Sequence, residues 1–390
     1  MRVLLLKGRS QYGSLRLHID QLAQALNAVG HQAAVVDMLT EDQNERLLDA
    51  LKTQPECVFA FSGVCVDLNL QDRSIYDLVG AVYASIYVDN PIHHLARIRT
   101  PVGRNVGLFL DRSHLQFVEA SPYAGNFSQL GFLPPGANEL PEPPDLSDEA
   151  FARRDIPLMF TGTYRGAPEA PWRQWPESAA RTVLESVTER MIADPRLPIL
   201  DALRQVLEQL GAELTPKLFG DIAPLLSAPQ FFAEAYHRDA VLRALGEAGL
   251  PLHVWGNGWE PLVDRYPSFV YGGVGSFAET LHTLRRARVV LNINNGFVAG
   301  GHERVFTAMA AGAAVFSDAN PHYAEAFAEG REIATFAWPK LADAPDQLAS
   351  LVADAPRAGQ ITRAGALRAQ AEHRWTARAR QLVEAVQAAA

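Results

Sequence analysis

The chain predicts an α/β protein made of two doubly wound parallel sheets. Three observations carry this. The first third alternates short apolar runs with amphipathic helices. A proline-rich passage follows, from Leu133 through Pro134, Pro135, Pro141, Pro143 and Pro144. Alternation then resumes at Pro157 and culminates in Val289 to Asp318, which reads as strand, glycine loop, helix, tight stop and strand. The 390 residues exceed one ordinary α/β core, so two domains are expected.

In the first domain, residues 1–133, Arg2 to Leu6 reads as the first strand. Leu15, Ile19, Leu22, Leu26 and Val29 form one stripe of a helix over Leu15 to Ala28, which Gly30 ends. Ala33 to Val36, Val58 to Phe61, Val82 to Val88 and Val106 to Leu110 are further strands, with a helix near Asp42 to Leu51. Residues 134–156 read as a linker, since proline blocks both helix and ladder, and Glu139, Glu142, Asp145, Asp148 and Glu149 keep it solvated.

The second domain covers residues 157–370. Leu158 to Thr161 is its first strand. A helical insertion fills about 170–245, mostly helical from about Pro176, and is longer than any crossover requires. Leu252 to Trp255, Phe269 to Tyr271 and Val289 to Ile293 are strands, and Phe277 to Arg286 a helix. A new helix opens near His302 or Glu303, and Gly312 closes it before a strand at Ala313 to Phe316. The tail, Ala364 to Ala389, is helical, with residues 371–390 as a C-terminal helix.

Composition excludes several classes. A hydrophobic fraction of 48% and a charged fraction of 20% suit a globular protein. A net charge of -9 disfavours a nucleic-acid partner, which needs a basic face. No apolar run approaches a membrane span, and Met1 to Leu6 is too short for a signal-peptide core, so a cytoplasmic location is expected. Cys57 and Cys65 read as reduced core thiols. No metal site, no Gly-x-Ser-x-Gly elbow and no Asp-x-Asp pair are present in the sequence.

Two such sheets imply a cleft with ligands beyond the carboxyl ends of the strands. In the second domain those ends carry Gly162 to Gly166, Gly256 to Trp259 and Asn294 to Arg304, all rich in glycine, small polar groups or arginine. A helix opening there offers free N–H groups to an anion, and Arg304 adds a charge that can clamp a diphosphate. The candidate contacts of a nucleotide-diphosphate site are Gly162, Thr163, Trp255, Gly256, Asn257, Asn294, Gly301, His302, Glu303, Arg304, Val305 and Thr307. Trp255 and Trp259 are candidates for stacking on a base, or for core or rim packing. Asn292 is expected to face a packed layer, which leaves Asn294 as the ligand contact. The alternative is a βαβ unit whose glycines only permit tight packing.

In the first domain the loop Lys7 to Ser14 precedes a helix, so Tyr12 and Gly13 are further candidates. Its spacing is neither the dinucleotide fingerprint nor a phosphate loop. Asp89 ends a strand and is a candidate base for an acceptor hydroxyl, or a cap of the next turn. His18, beside Leu15 and Leu22, is a candidate base or a packed histidine. His93 and His94 are adjacent and cannot share one helical face, which disfavours a metal pair.

The segment His302-Glu303-Arg304-Val305-Phe306-Thr307-Ala308-Met309-Ala310-Ala311-Gly312-Ala313, with Val315 and Asp318, resembles the donor-site segment of GT-B glycosyltransferases, and the CgeB-like group (glycosyl transferases group 1) in particular. Phe160 to Tyr164, Trp255 to Trp259 and the Arg304 helix follow that family's order, and Phe132-Leu133-Pro134-Pro135-Gly136 is similar to its interdomain entry. The resemblance implies two Rossmann-like domains facing a cleft, a nucleotide-diphosphate sugar in the C-terminal one, and an acceptor held largely by the N-terminal one. It implies that the last helix, around Trp375 to Val386, crosses back to the first domain. Thr307 stands where related retaining enzymes place a ribose-binding glutamate. Ala299 replaces its partner glutamate, and Glu303, one turn before Thr307, is the candidate substitute.

The expectation is a metal-independent glycosyltransferase without a cofactor, its donor a nucleotide-diphosphate sugar and its acceptor a protein such as flagellin, a glycan or a small molecule. A nucleotide-sugar epimerase and a non-catalytic nucleotide-sugar-binding scaffold are the alternatives.

Overall fold

A computed structural model describes residues 1–294 and 296–389. Asn295, within the predicted loop Asn294 to Arg304, and Ala390, at the end of the predicted C-terminal helix, lie outside the described residues. The chain forms two compact units.

The first unit comprises Met1–Gly136, Pro216–Pro224 and the segment from His373 onward. Its strands are β1 (Arg2–Lys7), β2 (Gln32–Asp37), β3 (Cys57–Phe61), β4 (Val82–Tyr87), β5 (Asn105–Phe109) and β6 (Gln129–Phe132). They form one sheet in the order β2-β1-β3-β4-β5-β6, parallel throughout. Register is set by the apolar runs: Leu4 lies opposite Ala34 on one side and Val58 on the other. Helix α1 (Ser14–Ala28) buries Ile19, Leu22 and Leu26. The strand β6 is absent from the sequence reading. Its Gln-Leu-Gly-Phe run has no β-branched residue, and all four residues are only half-buried.

The second unit comprises Ala137–Thr215 and Leu225–Glu372. Its strands are β7 (Ile156–Thr161), β8 (Leu252–Trp255), β9 (Val270–Tyr271), β10 (Ala287–Asn292), β11 (Ala314–Asp318) and β12 (Ala334–Phe336). The sheet order is β9-β8-β7-β10-β11-β12, again all parallel. Phe160, Trp259, Leu291 and Phe316 lie in its core.

The predicted insertion is not one layer. It contains α2 (Ala179–Ala193), α3 (Ile199–Gln209), α4 (Pro216–Ile222) and α5 (Ser227–Glu247). Helix α4 belongs to the first unit, where Phe219 is buried against Phe117 at a ring-centroid distance of 5.1 Å. The donor-segment helix is α6 (Glu303–Ala310). The helical tail expected over Ala364 to Ala389 comprises the end of α7 (Ala355–Glu372) and the C-terminal helix α8 (Trp375–Ala389), and only α8 falls in the first unit.

Candidate functional site

The strand order of the second unit reverses between β7 and β10, and crevices of such sheets open beyond the carboxyl ends of the two strands at that point. One side chain bridges both ends. Arg304 donates from Nε to Thr161 Oγ1 (3.3 Å) and from Nη1 to Asn292 Oδ1 (2.8 Å). Its guanidinium carbon lies 4.7 Å from the centre of the Phe160 ring. Gly162 makes room for Nη2, since a Cβ there would stand 3.2 Å from it. Asn292 is itself oriented by donating to Ser317 Oγ (2.9 Å), so the packed-layer asparagine is the support of the arginine.

Arg304 is only 8% exposed, and among the described residues no carboxylate stands within salt-bridge distance of it. Burial pushes its pKa down to about 10, with Glu303 opposing and Arg238 adding to the shift. Arg238, on α5, was not singled out in the sequence. It donates from Nη1 to Thr163 O (3.1 Å), and among the described residues its buried Nε has no hydrogen-bond partner. Burial lowers its pKa, Glu234 opposes, and Arg165 lowers it further. Two guanidinium groups thus gather at the Gly162 loop, and among the described residues neither is in a salt bridge. Arg165 itself covers the Phe231 ring at 4.5 Å.

The helix terminus contributes less than expected. His302 caps α6, its Nδ1 accepting from Arg304 N (3.2 Å), while His302 N donates to Asn294 Oδ1 and Tyr323 Oη, both at 3.2 Å. Val305 N donates to His302 O (3.1 Å). At the helix start expected to offer free N–H groups to an anion, those of His302 and Arg304 are therefore already bonded within the protein. The His302 and Glu303 side chains pair at 2.7 Å, and burial lowers the imidazole pKa against the pull of Glu303.

Asn294 also differs from expectation. Its Nδ2 donates to Phe297 O (2.8 Å) and Gly300 O (3.2 Å), and its Oδ1 accepts from His302 N and from Tyr323 Oη (2.9 Å). An asparagine amide has two donors and two acceptor positions, and all are used. It organises the loop and has no capacity left for a ligand. Thr307 is similarly committed: it is 1% exposed, and its Oγ1 accepts from Asn138 N and Nδ2, both at 3.2 Å.

The two remaining glycine loops are tied together. Gly162 N donates to Trp255 O and Tyr164 N to Asn257 O, both at 2.9 Å. Gly256 has φ 125°, and a Cβ there would run into the Gly162 carbonyl. Packing alone accounts for a glycine at this position. Trp259 is fully buried and donates to Gly162 O (2.8 Å), so it is a core ring and not a base platform. Trp255 is half-buried, stacked on His253 at 6.3 Å.

In the first unit, Tyr12 (φ 56°) and Gly13 (φ 77°) form a left-handed pair before α1. His18 is 4% exposed, with its ring 5.8 Å from Phe61 and 5.4 Å from Trp375, a place that suits the packed histidine of the two readings. The Asp89 side chain is 65% exposed, beyond the end of β4, and its Oδ2 lies 3.7 Å from His94 Nε2.

Residues 238–384 match a family model described as glycosyl transferase-like. The fold is that of the GT-B glycosyltransferases. The matching description is the broad one, and the CgeB-like likeness remains a resemblance of sequence. The GT-B fold extends over the whole chain. Sucrose-phosphate synthase from Thermosynechococcus elongatus aligns with 98% of this chain and 98% of its own, at 12% identity and a TM-score of 0.54. Anabaena HepE in complex with UDP and glucose aligns over 99% of both chains at 9% identity and a TM-score of 0.52. WaaG, a glycosyltransferase involved in lipopolysaccharide biosynthesis, aligns over 99% of both at 12% identity and a TM-score of 0.51. No curated protein sequence matches it. Among the described residues no helix is long and apolar enough to cross a membrane.

Proposed function

We propose that this chain is a glycosyltransferase that takes a nucleoside diphosphate sugar as donor, and that Arg304 and Arg238 hold its diphosphate, in place of a divalent metal ion. The carrying observation is Arg304, a buried guanidinium across the strand-order reversal whose bonded partners are all neutral. A buried cation without an anion is costly, and a diphosphate removes that cost while gaining charge-assisted hydrogen bonds. The HepE complexes with UDP-glucose and with UDP support uridine diphosphate sugars as the first donors to test.

In the reaction the bond from the anomeric carbon to the diphosphate oxygen breaks, and the acceptor oxygen forms the new bond to that carbon. Negative charge develops on the leaving diphosphate, where fixed positive groups act most strongly. If the anomeric carbon inverts, the exposed Asp89 carboxylate takes the acceptor proton. Tyr12, Gly13, Gly162, Thr163, Trp255, Gly256, Asn257, Gly301, His302, Glu303 and Val305 remain donor-side candidates. The acceptor is a protein, a glycan or a small molecule.

Calorimetric titration with UDP, GDP and their glucose conjugates tests the reading. Arg304→Ala is expected to weaken diphosphate binding by roughly 10- to 100-fold, the worth of lost hydrogen bonds to charged groups. Arg304→Lys keeps the charge but not the fork, and falls between. Transfer that survives saturating chelator supports metal independence. Unchanged affinity in Arg304→Ala would sink the assignment.

A further inference from the structure

Helix α5 carries Gln230, Glu234 and Arg238 at intervals of four residues, so the three share one face. One end of this stripe is fixed at the β7 loop, where Arg238 donates to Thr163 O. The other end meets the β10 loop. Gly296 has φ 83°, and a Cβ there would stand 2.5 Å from Glu234 Oε1 and 3.5 Å from Gln230 Nε2. The stripe therefore runs between the two loops that flank the strand-order reversal.

Gln230 is 4% exposed. Its Nε2 donates to Glu234 Oε1 (3.0 Å), but among the described residues its Oε1 has no hydrogen-bond partner. A buried amide oxygen left without a donor costs about 1–3 kcal/mol, so it is kept where something supplies the missing hydrogen. The adjacent carboxylate narrows what that is. Glu234 repels a phosphate, while an amide oxygen beside a carboxylate presents acceptors only. Neighbouring hydroxyl groups meet both requirements.

We infer that Gln230 and Glu234 form a recognition face for a pair of hydroxyl groups on the donor, in the transferred sugar or in the ribose. This rests on the diphosphate reading above. It gives part of the helical insertion a role at the site and supplies a carboxylate in a unit whose Thr307 is sealed by Asn138.

The test titrates wild type, Gln230→Ala, Glu234→Ala and Glu234→Gln with UDP-glucose, UDP and 2′-deoxy-UDP, with GDP-sugars in parallel. Thermal melting checks that each variant is folded. Both alanine variants are expected to bind UDP-glucose at least fivefold more weakly. Loss confined to UDP-glucose assigns the face to the sugar. Loss on UDP-glucose and UDP but not on 2′-deoxy-UDP assigns it to the ribose. Unchanged binding in both alanine variants, or equal loss on all three ligands, overturns the inference while leaving the Arg304 result standing. Wild type that binds no nucleoside diphosphate overturns the donor reading and this inference with it.

Discussion

A guanidinium buried without a carboxylate is held by geometry, and at Arg304 that geometry depends on Asn292. Its Oδ1 accepts Nη1, and its Nδ2 is anchored on Ser317 Oγ. Asn292→Ala removes the acceptor, leaves an orphaned buried donor, and frees the guanidinium to turn. We expect roughly tenfold weaker nucleoside diphosphate binding and a loss of stability of about 1–3 kcal/mol. Calorimetry and urea unfolding read the two effects separately, and a variant that binds UDP like wild type would contradict the positioning role. Residues were unequally legible at this scale. The charge of Arg304 and its place after a glycine loop were open to reading. That Asn294 spends every hydrogen-bonding position on its own loop, while Asn292 serves the arginine, depends on distances no spacing rule supplies. Arg238 lies in a stretch whose leucine spacing draws attention to packing, although the four-residue interval from Gln230 was a signal in plain view.

Elements were easier to read than their ends. Each long apolar run became a strand, because parallel strands covered on both faces are continuous hydrophobic stretches. The strands β6 and β12 stand outside the sequence expectation: Gln129–Phe132 has no β-branched residue and is only half-buried, and Ala334–Phe336 is three residues long. What joins the elements at the site is a buried carboxylate. Asp318, the last residue of β11, accepts from Asn294 N (2.6 Å) and Trp338 Nε1 (3.1 Å), tying the donor loop to the sheet. Burial pushes its pKa up to about 6, with those hydrogen bonds opposing. The native state therefore binds more protons than the unfolded state between pH 3.8 and about 6. Stability conferred by this group falls as pH rises through that window, and is constant above it. Relative to Asp318→Asn, wild type should lose on the order of 3 kcal/mol of unfolding free energy between pH 4 and 7. Urea unfolding of both proteins at four pH values measures the difference, and a pH-independent difference would show that Asp318 does not titrate in this way.

At the scale of the whole molecule the chain leaves its first unit at Gly136 and returns to it twice, at Pro216–Pro224 and from His373 onward. Composition shows the proline-rich exit, but not that α4 lies in the first unit while the flanking helices belong to the second. The final return is built around Trp375. Its ring lies 5.4 Å from that of His18 and 6.0 Å from that of Phe61, and Gly136 is pressed so close that a Cβ would stand 2.5 Å from the indole Cδ2. Arg378 reinforces the join by donating from Nε to Pro135 O (3.1 Å). Trp375→Ala opens a void among these rings and should cost about 3–5 kcal/mol in the first unit. Gly136→Ala should also destabilise, because its methyl meets an indole that has nowhere to go. Combined, the two should be less harmful than their sum, since the methyl then enters space the indole has vacated. Nucleoside diphosphate affinity should stay within about twofold of wild type in the folded variants, because Arg304 and Arg238, the two residues proposed to hold the diphosphate, lie in the second unit. Urea unfolding of the double-mutant cycle measures the coupling. Strictly additive losses would mean that Gly136 is not shaped by Trp375, and a large fall in nucleotide affinity would mean that the C-terminal return reaches the donor site.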